Sequence, residues 1–250
     1  MKLPKMTLST LLLVGANLAP LGGVFFLGWD AGAIVLFYWM ENVVVGFYNV
    51  LRMATVKVEK PLYHLGKLFT IPFFCIHFGG FCAVHGVFVL VFLGLAKGGD
   101  FLPSGQLVIF LPSGHTWPGY LVFVQLLVAV IVLLWQNLPP GFEWPVLALF
   151  LSHGVSFVQN HFLKGEYASL TNKELMTRPY RRIVLLHITL IAGGLPVMLL
   201  GSPVPLLVIL VALKTGMDLW LHAKSHRAAQ GEAPWRNGPL ASPQGSRVLD

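Results

Sequence analysis

The chain has 250 residues, of which 56% are hydrophobic and only 11% charged, and its mean hydropathy is +0.73. That balance excludes an ordinary water-soluble domain and describes an integral, multi-pass helical membrane protein. The formal net charge of +7 sits mostly in short connections and in the tail, where it sets orientation and meets anionic headgroups of the lipid bilayer; nothing in it requires a nucleic-acid partner.

The apolar runs predict spans at Thr7–Gly28, Ala31–Met53, Leu68–Leu95, Pro118–Gln136, Phe142–Leu163, Arg182–Leu200 and Pro203–Lys224, an all-α bundle of about seven transmembrane helices. The first begins like a signal peptide, with lysines ahead of a Leu-rich run. Its apolar sequence continues through Pro20 to Trp29, which is the length of a retained helix.

The second span carries a carboxylate where the bilayer centre should be. At ~1.5 Å per residue the helix crosses the ~30 Å hydrocarbon core, and Glu41 lies about halfway along it. At ~100° per residue, Tyr38, Glu41, Asn42, Val45, Tyr48 and Asn49 share roughly a third of the circumference, so this face looks into protein. An ionisable group at such depth costs ~2.5–3.5 kcal/mol or more and demands a partner.

The third span holds both cysteines, Cys75 and Cys82, ~10 Å apart along the axis and therefore beyond the ~7 Å reach of a disulfide between them. After it, Asp100–Pro118 places Pro103, Pro112 and Pro118 around the short apolar run Leu107–Leu111, which predicts a re-entrant or interfacial segment. Strict alternation puts the basic connection Arg52–Lys67 on one side and Lys164–Arg182 with the tail on the other. The larger basic share then places the C-terminus in the cytoplasm. Residues 1–227 form the transmembrane domain, and 228–250, rich in Gly, Pro, Ser and Arg, form a disordered polar tail.

Six of the nine histidines fall inside predicted spans: His77, His85, His153, His161, His187 and His222. By position, Glu41, His85, His153 and Lys214 lie near the midplane, while His187, Asp218, His161 and His222 lie ~6–12 Å toward the side of the 164–182 connection. Imidazoles and carboxylates on inward faces of several helices suit a transition metal ion, Zn, Fe or Cu. The expected site thus has Glu41 as the catalytic carboxylate and His85, His153, His187, Asp218, His161 and His222 as metal ligands. Arg178 and Arg182 stand over its mouth, where they suit a lipid headgroup or a phosphate. The plainer alternatives are a buried Glu41–Lys214 ion pair, histidines that only pack helices (His77 first among them), and a basic loop that only sets topology.

On this reading the protein is a metal-dependent intramembrane enzyme, a hydrolase or an oxidase acting on a lipid or other apolar substrate. Two alternatives have other chemistry: a redox carrier holding haem b between His85 and His153, and a proton or metal-ion transporter. No His-Glu-x-x-His helix, no Cys-x-x-Cys-His motif and no serine or cysteine nucleophile motif occurs.

Several short elements stand out along the chain: Phe37, Tyr38, Trp39, Glu41 and Asn42; Phe73, Phe74 and His77 with Val84 to Phe88; Ser152, His153, Gly154, Ser156 and Phe157; Gly165 to Tyr167; and Pro179, Tyr180, Arg182 and Ile183 with His187. In these the chain resembles a family of bacterial multi-pass membrane proteins known only as a domain of unknown function. The resemblance implies a multi-pass protein of the bacterial inner membrane, and it marks Glu41, His77, His85, His153 and His187 as part of a signature. It implies no activity.

Overall fold

The computed structural model describes residues 8–58, 62–94, 121–136 and 140–229, without the side chains of 8, 9, 62, 63 and 222–229. The chain forms α1 (Leu8–Leu27), α2 (Ala31–Thr55), α3 (Leu62–Phe92), α4 (Val122–Gln136) and α5 (Glu143–Phe157), which continues as a π-helical stretch, Val158–Leu163. Two short helices, α6 (Glu166–Ser169) and α7 (Asn172–Thr177), lead into α8 (Tyr180–Leu200) and α9 (Val204–Ala229). The all-α bundle is as expected. The segment Asp100–Pro118 and the tail beyond Ala229 lie outside the described residues.

Helix ends are set by local chemistry. Asp30 Oδ1 accepts the Ala33 N–H at 2.5 Å and so satisfies a free donor at the start of α2. At its other end Lys67 Nζ donates to the carbonyls of Ala54 and Val56 at 3.0 and 2.6 Å. Thr171 and Glu174 form a reciprocal capping box on α7, and Gly201, at φ +61°, closes α8 in the left-handed region that glycine enters without steric cost.

Six helices are long and apolar enough to cross a membrane, spanning Thr10–Leu27, Ala31–Thr55, His64–Phe92, Glu143–Leu163, Asn172–Leu200 and Val204–Leu221. The expected fourth span is different. Helix α4 has 15 residues, ~22 Å of helix and short of the hydrocarbon thickness. It also runs parallel to α3, since Phe123 and Val130 face Gly80 and Gly86 in the same order along both chains.

Helix α2 is the hub, packing against α3, α5, α7, α8 and α9. Apolar burial between helices gains little over contact with lipid tails, so close approach and buried hydrogen bonds hold such a bundle. Both occur at Trp39, which is 1% exposed. Its Nε1 donates to the Cys82 carbonyl at 2.9 Å, and its ring lies so close to Gly86 that a Cβ there would sit 2.6 Å from it. The main core gathers Val35, Leu36, Val89, Leu90, Leu186 and Leu206 around this point, and a second gathers Met53, Phe74, Phe78, Leu175 and Ile183 beneath α7.

Alternation placed the connections 52–67 and 164–182 on opposite sides; the structure places them on the same side. Lys57 N–H donates to the Tyr167 carbonyl at 2.7 Å, Asn49 Nδ2 to the Leu175 carbonyl at 2.9 Å and Asn172 Nδ2 to Thr70 Oγ1 at 2.6 Å. The reason is α4: a short helix parallel to α3 supplies no antiparallel crossing, so α3 and α5 act as successive full spans. One face consequently carries Arg52, Lys57, Lys67, Lys164, Lys173, Arg178 and Arg181, whereas the described turns at the other, 28–30, 93–94, 140–142 and 201–203, carry no Lys or Arg.

Candidate functional site

Glu41 sits where four helices converge. Its Oε1 accepts a hydrogen bond from Arg182 Nη1 of α8 at 2.5 Å; His153 Nε2 of α5 stands 3.9 Å from the same oxygen, and Lys214 Nζ of α9 stands 4.0 Å from Oε2. Lys214 also lies over the Tyr38 ring, 4.5 Å from its centroid, a cation–π contact that holds the ammonium beside the carboxylate. One turn along α9, Asp218 Oδ2 accepts from Asn17 Nδ2 of α1 at 2.9 Å. Tyr38, Asn42, Leu186, Lys214 and Asp218 line a cavity of about 50 Å³ beside Glu41, room for a few water molecules. Two carboxylates and two basic side chains thus lie close together, with the His153 imidazole beside them.

A file of polar side chains leads from this junction to the basic face. Arg52 and Thr55 follow Glu41 on the same side of α2, and His161, fully buried, makes a 2.7 Å hydrogen bond between Nε2 and Thr55 Oγ1. The Arg52 guanidinium lies 5.9 Å from the Phe157 ring centre and within electrostatic reach of both His153 and His161. The π-helical stretch makes the alignment. In an α-helix His161 falls ~80° from His153, but at roughly 82° per residue over the wider turn the two come within ~10°. The Lys164 N–H bonded to the Gln159 carbonyl at 2.9 Å is the five-residue hydrogen bond of that wider turn.

A second cluster lies between α3 and α8. His85 Nε2 and His187 Nδ1 are 2.9 Å apart, and His77 Nδ1 is 2.6 Å from the Tyr180 hydroxyl.

The expected single metal centre is not what these positions form. Glu41, His153 and Lys214 meet; His85 and His187 pair with each other; His161 joins Thr55; Asp218 joins Asn17; the His222 side chain lies outside the described residues. Among the described residues no group of three or more His, Cys, Asp or Glu is placed to share a metal ion. The donors do not fit one either, because Glu41 faces Arg182 and Lys214, whose charges repel a metal cation, and the Nε2 of His85 is already taken. The haem alternative fares likewise: His85 and His153 sit in different clusters, one bonded to His187 and the other stacked on Tyr48. Arg178 and Arg182, expected to be free for phosphate, are each held by a carboxylate, Glu166 at 3.8 Å and Glu41 at 2.5 Å.

The profile of a family of unknown function, DUF6498, matches residues 2–234. The chain belongs to this family. No curated protein and no solved structure matches it. Within this DUF6498 chain Glu41, His153 and Arg182 meet at the junction, and His77, Tyr180, His85 and His187 gather at the α3–α8 face.

Sequence reasoning missed Arg182 as the main partner of Glu41, and missed Asn17 and Thr55 altogether. Arg182 begins a span, where depth counting assigns its charge to the interface. Asn17 carried a faint signal, as a polar residue within an otherwise apolar run, whereas Thr55, between Arg52 and Lys57, carried none.

Proposed function

We propose that this protein moves protons across the bacterial inner membrane, with its basic face in the cytoplasm and Glu41 as the exchanging carboxylate. The supporting observation is the placement of Glu41, mid-span and 15% exposed, against cations or a histidine from α5, α8 and α9 at once. Ionisable groups inside a bilayer are costly and mark proton or ion routes. Two unit charges 4 Å apart attract by about 4 kcal/mol at an effective dielectric constant of 20, well above thermal energy. Protonating Glu41 removes that attraction from three helices together. Lys214 then has Asp218 one turn away as an alternative partner, and His153 passes the proton along the file, past Arg52, to His161 and the basic face. The basic face is assigned to the cytoplasm by the positive-inside rule, which the united basic connections satisfy.

Purified protein in liposomes that trap a pH-sensitive dye tests this. Under an imposed potential the wild type acidifies the lumen, Glu41→Gln stops it, and Glu41→Asp retains a part. Transport at the wild-type rate in a folded Glu41→Gln protein removes the carboxylate from the route and leaves the cluster as an ion-pair lock.

A further inference from the structure

The α3–α8 face contains a pocket of about 350 Å³ that the proton route does not use. It is lined by Phe73, His77, Phe81, His85 and His187 with Phe123 of α4, and its volume lies within the range of small-molecule sites. Phe73, Phe81 and Val84 are 40%, 36% and 37% exposed, and they belong to a membrane-spanning helix, so the pocket opens toward lipid.

Its walls are aromatic and uncharged. Phe73 stacks on His77 with ring centroids 5.2 Å apart, Phe81 meets the edge of His77 at 5.1 Å, and Phe81 lies 6.2 Å from His85. An acyl chain gains little by leaving the bilayer for such a pocket, because lipid tails are as apolar as its walls. A flat ring gains stacking that lipid does not offer. A charged ligand is disfavoured, since no lining residue carries a permanent charge to compensate its desolvation.

The polar requirement comes from His85. It is 1% exposed, its Nε2 is committed to His187, and its Nδ1 has no hydrogen-bond partner among the described residues. Whichever ring of the pair supplies the shared proton, Nδ1 of His85 is left able to accept a hydrogen bond in one tautomer and to donate one in the other. In hydrocarbon no bulk water satisfies it. We propose that this pocket binds a neutral, membrane-dissolved ring compound with a hydrogen-bonding oxygen, the chemistry shared by quinones and phenols, with the His85–His187 pair holding the oxygen and the phenylalanines holding the ring.

The test uses the full-length protein in detergent and a decyl-tailed benzoquinone, with its reduced phenolic form as the second arm, each titrated by calorimetry. Saturable binding at one molecule per chain is expected, lost in Val84→Trp, which fills the opening without touching a histidine, and weakened about tenfold in His85→Phe, which keeps a ring but removes the nitrogens. Tighter binding of one form tells whether the quinone carbonyl or the phenol hydroxyl is the preferred oxygen. Glu41→Gln should bind as the wild type does, which separates this site from the proton route. Non-saturating uptake equal in the wild type and Val84→Trp overturns the site, and undiminished affinity in His85→Phe overturns the role given to the imidazole pair.

Discussion

Arg182 Nη1 donates to Glu41 Oε1 at 2.5 Å, although Arg182 stands in the first turn of α8 and Glu41 near the middle of α2. The guanidinium is thus committed to a carboxylate inside the bundle instead of to the headgroups. This pair joins α2 to α8, while Lys214 and His153 stand at the limit of contact on the flanks of the same carboxylate.

That inequality is measurable. A double-mutant cycle on Glu41→Gln and Arg182→Gln should give a coupling energy of ~1–3 kcal/mol, and the cycle with Lys214→Gln a smaller one, ~0.5–1 kcal/mol. Reversible unfolding in mixed micelles provides the values. Equal couplings would mean that Glu41 divides its charge evenly between the cations.

The shared sidedness of the basic connections can be read by cysteine labelling. With Cys75 and Cys82 replaced by Ala, Lys57→Cys and Lys173→Cys should both react with a membrane-impermeant maleimide only after cells are opened, whereas Ser202→Cys should react in intact cells. Reaction of Lys57→Cys and Lys173→Cys from opposite sides would restore strict alternation and contradict the Lys57–Tyr167 hydrogen bond.

Gly154 governs how near α5 comes to the junction. A Cβ at this position would stand 2.7 Å from the Tyr48 hydroxyl, which itself donates to the Phe150 carbonyl at 3.0 Å. Gly154→Leu should push α5 off α2, cost ~1–3 kcal/mol of stability, and slow proton movement by separating His153 from Glu41. Tyr48→Phe, which loses only the hydroxyl, should cost ~0.5–1.5 kcal/mol. Similar losses for both would show that α5 yields without leaving α2.

Metal content distinguishes the dispersed arrangement from a shared centre. Because the candidate donors are spread over separate clusters, elemental analysis of purified protein should find Zn, Fe and Cu well below one per chain, and a chelator should leave the melting temperature unchanged. A stoichiometric metal, or a melting temperature that falls on chelation, would show that these side chains regroup around an ion.

His161 provides a check on the π-helical stretch. His161→Ala removes the Thr55 bond and a ring stacked 5.2 Å from Phe157, so it should destabilise by ~2–4 kcal/mol. Deleting Gln159, which returns the stretch to α-helical spacing, should lower proton flux as much as His161→Ala does.

The sequence by itself determined the helical class, the positions of the long spans and the need for Glu41 to find a partner, because hydropathy over ~20 residues and the cost of a charge in hydrocarbon are local quantities. The polar stripe of α2 does face protein, with Asn42, Tyr48 and Asn49 buried, but Val35, Trp39 and Met53 outside it are buried too, because α2 packs on several helices at once. Only the tertiary structure decided that Arg182 answers Glu41, that His85 and His187 pair away from His153, and that the basic connections share one face. Those outcomes depend on how far a side chain reaches along a neighbouring helix, on a wide turn that rotates His161 into line, and on α4 lying parallel to α3. Each is a relation between helices, and a periodicity counted along one helix carries no information about it.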